Sequence, residues 1–163
     1  MQHLIGQALP DVQLPSSSGD HVNPRHVKGR AVYFCYPYTG RQGVPNPRRW
    51  DDIAGAHGST PQALGYAAQF EAFQNLGVRV FGVSLLAQEW ITDFAERNLL
   101  PYELLSDEGA RFSQALQLPC FTIDSVDYLL RLSLIVADGI IAQVVFPVAE
   151  PEKDAATIFE LLR

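Results

Sequence analysis

The sequence predicts an α/β fold in which a mixed β-sheet carries helices on both faces, and three observations predict it. Apolar runs at residues 32–36 and 79–86 suit strands covered on both faces, and they alternate with stretches of helical apolar spacing. Two later apolar runs flank Asp138-Gly139, a strong two-residue hairpin signal. An amphipathic segment follows them to the end of the sequence. Each helix must bury its apolar stripe, and a sheet with helices on both faces gives every stripe a partner. With 163 residues, 47% of them apolar and including 9 Phe, 6 Tyr and 2 Trp, the chain suits one compact domain spanning 1–163 with a substantial core.

The elements follow in order. Ser16-Ser17-Ser18-Gly19-Asp20 is turn-forming and closes an N-terminal hairpin. Residues 32–36 form a central strand ended by Pro37. Residues 40–58 are rich in Gly, Pro and Arg without a period and read as a long loop, a length that is commonly functional. Ala63, Tyr66, Phe70 and Phe73 predict one helix over 60–76, stopped by Gly77. After the strand at 79–86, Trp90, Ile91, Phe94 and Ala95 form the apolar face of the next helix. Residues 102–105 read as a short strand, and Ser106-Asp107-Glu108 as the start of a helix burying Phe112, Ala115 and Leu116 and ended by Pro119. Strands at 129–137 and 140–146 enclose the Asp138-Gly139 turn, and a last helix from Glu152 buries Ala155, Ile158, Phe159 and Leu162. This order matches a thioredoxin-like layout.

Charge and composition narrow the function classes. A formal charge of −6 has the wrong sign for holding a phosphate backbone, so nucleic acid is not an expected partner. The adjacent pair Arg48-Arg49 beside Trp50 reads as a solvated loop anchored by its aromatic ring. No stretch approaches the roughly 20 apolar residues that span a bilayer, and no basic start leads into an apolar leader, so a cytoplasmic, membrane-free protein is expected. Two cysteines, Cys35 and Cys120, make no disulfide framework and no zinc spacing, which fits a reducing compartment. His3, His21, His26 and His57 show no ligand spacing on a common element, so neither a metal nor a cofactor is expected.

Several landmarks in one order carry a family resemblance. They are Leu9-Pro10-Asp11 and Leu14-Pro15 near the start, Lys28-Gly29-Arg30 before the first long strand, Tyr36-Pro37 at its end, Leu104-Leu105-Ser106-Asp107, and Arg131 on the following strand. Through them the chain resembles the peroxiredoxin family of alkyl hydroperoxide reductase and thiol-specific antioxidant proteins over most of its length. The resemblance implies an antioxidant oxidoreductase acting on a hydroperoxide, with a thiol reductant such as thioredoxin if active. It also leaves a homodimer open, which the residues do not independently support. In the family a reactive cysteine stands in the first turn of a helix, where the helix N-terminus and an arginine favour its thiolate. Gly58-Ser59-Thr60-Pro61-Gln62 resembles the Gly-Cys-Thr-Pro-Gln form of a long-loop branch and sets Ser59 on that cysteine. The resolving cysteine of the branch falls on Leu64, and the family's threonine falls on Ala56. The resemblance also makes Arg131 and Pro37 site residues.

Serine does not replace the sulfur, because a hydroxyl ionises far less readily and has no counterpart to the sulfenic acid step. The leading expectation is therefore a peroxiredoxin-like protein without cysteine-based peroxidase activity at Ser59, acting as a binding or regulatory module. The competing readings are an active thiol oxidoreductase using Cys120 or Cys35, and a cysteine-to-serine variant of an active peroxiredoxin, which would leave Leu64 to be explained separately. Ser59 has a plain structural role open to it, because Ser59 and Gln62 form a capping-box pattern with Pro61 in the first turn. A serine-hydrolase reading with His57 lacks the Gly-x-Ser-x-Gly elbow. Arg131 is expected either to hold an anion or peroxide oxygen, or to pair with Asp107 or Glu108. Cys35 reads as a small core residue and Cys120 as an inert thiol.

Overall fold

The structure is a computed structural model and describes residues 1–163. In chain order it holds β1 (Leu14–Pro15), β2 (His21–Val22), β3 (Arg30–Cys35), α1 (Ser59–Ala68), α2 (Phe70–Asn75), β4 (Val78–Ser84) and α3 (Gln88–Arg97). Then come β5 (Glu103–Ser106), α4 (Arg111–Leu116), β6 (Cys120–Ile123), β7 (Val126–Leu129), β8 (Leu132–Ala137), β9 (Ile140–Val145) and α5 (Asp154–Leu162). Five strands make one mixed sheet in the order β5-β4-β3-β8-β9, with β3 in the centre. β3, β4 and β5 run parallel, while β8 and β9 are antiparallel to their neighbours. No helix is long and apolar enough to cross a membrane.

Strand alternation explains the two-sided core. Along β3, Ala31, Tyr33 and Cys35 face one layer, whereas Val32 and Phe34, with Tyr36 just beyond, face the other. The first layer holds Phe112 and Leu116 of α4 together with Leu4, Leu9 and Leu14 of the N-terminal segment. The second receives Tyr66, Phe73, Ile91 and Ile158 from α1, α2, α3 and α5. There Phe34 stacks on Tyr66 with ring centroids 4.4 Å apart. Burying a side chain of that size contributes about 2–3 kcal/mol. Helices thus cover both faces, as the sequence predicts.

Several boundaries differ from expectation. The helix expected over 60–76 is two, because Gln69 (φ −94°, ψ 2°) turns the axis; α1 then lies against α5 while α2 packs on β4. α4 starts at Arg111 instead of Ser106, and the Asp107 carboxylate accepts the N–H groups of Phe112 (3.0 Å) and Ser113 (2.8 Å) from outside the helix. The strand expected over 129–137 is interrupted. β7 ends at Leu129, β8 begins at Leu132, and Arg131 lies in the break instead of on a strand.

The two hairpins expected from the sequence both form. β1 pairs with β2 across the serine-rich turn, and Asp138 and Gly139 both have positive φ (48° and 78°) between β8 and β9. Gly139 is required twice over, since a Cβ there would lie 2.5 Å from the Arg25 carbonyl oxygen. The β6–β7 hairpin was not anticipated. It turns through Asp124 (φ 49°) and Ser125 (φ 65°), the same backbone solution without a glycine.

Candidate functional site

Gly58 enters α1 in a left-handed conformation (φ 111°) and caps it without a side chain, which leaves Ser59 as the first helical residue. The capping-box reading therefore fails. No backbone N–H is bonded to Ser59 Oγ, and Gln62 is turned away to other partners. What Ser59 Oγ does receive is a hydrogen bond from Arg131 Nη1 at 3.2 Å. Both groups are enclosed, with 5% of Ser59 and 4% of Arg131 exposed.

The break between β7 and β8 lets Arg131 reach inward. Its Nη1 also donates to Gln62 Oε1 at 2.7 Å, and Nη2 donates to the carbonyl oxygens of Gly55 (3.1 Å) and His57 (3.0 Å). The expected pairing with Asp107 or Glu108 does not occur, because Asp107 is engaged in capping α4. Burial lowers the guanidinium to about 10, and the negative charge of Asp154 opposes that shift. The group remains a cation at neutral pH.

Behind this pair lies a polar array that the sequence reading missed. Asp154 Oδ2 accepts from Gln62 Nε2 (3.1 Å), Tyr66 Oη (2.7 Å) and Ser133 Oγ (2.6 Å). Gln62 thus presents its oxygen to the cation and its amide nitrogen to the carboxylate, a bridge only an amide side chain makes. Burial, followed by the charge of Asp154, raises the Tyr66 phenol well above its ordinary range. The available signal was Asp154 in the first turn of an amphipathic helix, a position that reads equally as a solvated acidic start.

The remaining candidates lie apart. Leu64 sits on α1 with 42% of its surface exposed, on a different helix face from Ser59 because five residues advance the helix by about 140° beyond a full turn. Pro37 is buried at the end of β3 and lines an apolar pocket that neither Ser59 nor Arg131 borders. Cys35 is buried in β3, where loss of solvation pushes its thiol far up and the charge of Asp107 adds to that. Cys120 is exposed on β6, yet partial burial and the carboxylates of Asp127 and Asp107 raise its thiol too. His57 Nε2 lies 2.6 Å from Asp51 Oδ1 and makes no bond to Ser59, so no serine triad forms. Trp50 anchors the loop as the sequence suggests, buried against Tyr38 and Tyr128. No group of three His, Cys, Asp or Glu side chains is arranged to hold a metal ion.

Comparison with known proteins agrees with this scaffold. The family model described as Redoxin matches residues 4–161. Peroxiredoxin Bcp of Escherichia coli (strain K12) is 32% identical over 104 residues, covering 63% of this chain and 57% of that protein. Peroxiredoxin Bcp of Bacillus subtilis (strain 168) is 30% identical over 112 residues, covering 68% and 62%. The matched stretch thus spans less than two thirds of each of these relatives. Among solved structures, peroxidoxin BcpB from Mycobacterium tuberculosis superposes with a TM-score of 0.77 at 19% identity, covering 98% of this chain and 96% of that one. A cysteine-to-serine mutant of PrxQ from Xylella fastidiosa gives 0.77 at 18% identity, covering 97% and 94%. These two likenesses establish a common thioredoxin-like fold, and the family match over nearly the whole sequence adds descent. The chain belongs to the Redoxin family and, within it, to the peroxiredoxins.

Proposed function

We propose that this chain keeps the peroxiredoxin scaffold without cysteine-based peroxidase chemistry at residue 59, and serves as a binding or regulatory module. The observation that carries the reading is that a hydroxyl, and no sulfur, lies under Arg131 at the start of α1. Peroxidase turnover needs a thiolate to attack one peroxide oxygen, which joins sulfur as a sulfenic acid while the other leaves. One reductant thiol then forms a disulfide with that sulfur as water leaves, and a second frees the protein thiol by taking the first into a disulfide of their own. Serine oxygen has no such cycle. The guanidinium that would steady a peroxide is committed to the Ser59 hydroxyl, the Gln62 amide and the carbonyls of Gly55 and His57. Leu64 supplies no resolving thiol, and Ala56 supplies no hydroxyl. Two unpaired cysteines support a reducing compartment such as the cytoplasm.

The test is hydrogen peroxide consumption coupled to dithiothreitol. The unaltered chain is expected to consume no more peroxide than its Ser59→Ala variant. Reductant-coupled turnover that disappears in Cys120→Ala would overturn the proposal, and sulfenic acid trapping with mass spectrometry would locate the responsible sulfur.

A further inference from the structure

An apolar pocket of about 140 Å³ opens where the end of β3, the start of α3 and the β6–β7 hairpin meet. Its walls include Pro37, Tyr38, Leu86, Trp90, Val126 and Tyr128. We infer that this pocket binds a single uncharged aromatic ring of a small molecule. The inference does not depend on the chemistry at residue 59.

Size is the first argument. A protein cavity of about 150 Å³ with apolar walls admits benzene. Ring geometry is the second. Tyr38 lies 5.7 Å from Trp90 at a tilt of 40° and 6.1 Å from Tyr128 at 84°, so an entering ring meets aromatic groups already set in tilted and edge-on relations. Aromatic pairs prefer such arrangements to a face-to-face sandwich.

Charge is the third argument. Asp127 is the one acidic or basic residue on the wall, but strand alternation turns its carboxylate to the opposite face of β7 from Val126 and Tyr128. There it accepts a hydrogen bond from its cross-strand neighbour Thr122 at 2.5 Å. A charged ligand would lose hydration without gaining an ionic partner. The walls are also fixed in advance. Trp90 Nε1 donates to the Thr39 carbonyl at 2.8 Å, and Tyr128 is backed by stacked Phe121 at 5.5 Å and by Trp50 at 5.3 Å. A preformed pocket spares the ligand the cost of ordering its site.

Phenol and cyclohexanol, matched in size and hydroxyl, separate an aromatic site from a merely apolar one. In titrations of the full chain followed by protein NMR shifts, phenol is expected to bind saturably, with shifts centred on Trp90 and Tyr128. Cyclohexanol should bind roughly two- to tenfold more weakly, the range that an aromatic pairing supplies. Ala87→Phe, which places a side chain into the pocket, should weaken phenol by at least about tenfold. If that variant fails to fold, Val126→Phe at the exposed rim takes its place. Absence of saturable phenol binding, equal affinity for cyclohexanol, or undiminished phenol binding by a folded pocket-filling variant would each overturn the inference.

Discussion

Residue 59 occupies surroundings that favour a negative charge more than a serine can use. It stands in the first turn of α1, at the positive end of the helix dipole, and Arg131 Nη1 lies 3.2 Å from its oxygen. A sulfur placed there would feel both effects. In Ser59→Cys with Cys120→Ala as background, the new thiol should titrate at least about one pH unit below its ordinary value of about 8.5. The pH dependence of iodoacetamide alkylation reads this directly. Cys120 in the unaltered chain makes the internal contrast, since its surroundings raise the thiol. An inflection at or above 8.5 would mean that the carbonyls of Gly55 and His57 consume the field of Arg131. A lowered value would show that the setting of residue 59 still favours a thiolate.

At the scale of elements, the β6–β7 hairpin sets the position of Arg131, because the ladder must end at Leu129 for the arginine to turn inward. Its turn places two non-glycine residues at positive φ, Asp124 and Ser125. Such a backbone costs an L-residue about 1–2 kcal/mol, whereas glycine adopts it freely, partly offset by the entropy glycine loses. Ser125→Gly should therefore stabilise the chain by about 0.5–1 kcal/mol, seen as a higher urea midpoint at unchanged slope. The same hairpin shows why the sequence was legible only in part. Asp138-Gly139 announces its turn through glycine, but Asp124-Ser125 carries no such mark, so the chain around it reads as connection. Gln69 likewise bends α1 from α2 with a residue that favours helix, because packing on α5 and β4 overrides local preference. Ser59 and Arg131 could be singled out from motif order alone. Gln62, Asp154 and Ser133 could not, since their partnership exists only once three distant elements meet.

Across the whole molecule, the aromatic residues that make the core also set its response to alkali. All six tyrosines have phenols raised above their ordinary value of 10, with burial the first cause in each. A raised phenol holds its proton in the folded chain at a pH where the unfolded chain has released it, so the folded state binds more protons. Stability is then fully present below pH 10, the unfolded value, and falls as pH rises through the folded values. Tyr38 and Tyr128 stand at the pocket and have the smaller rises, whereas the phenols of Tyr33, Tyr36, Tyr66 and Tyr102, enclosed by the sheet and its helices, are raised furthest. Absorbance at 295 nm should accordingly rise in two stages above pH 10. A smaller first stage should leave the far-ultraviolet circular dichroism unchanged, and the remainder should appear only together with its cooperative loss. Phenols ionising in one stage near pH 10 with the dichroism intact would show that the interior rings reach water without unfolding, and the two-layer packing around Phe34 would not then be the barrier that retains their protons.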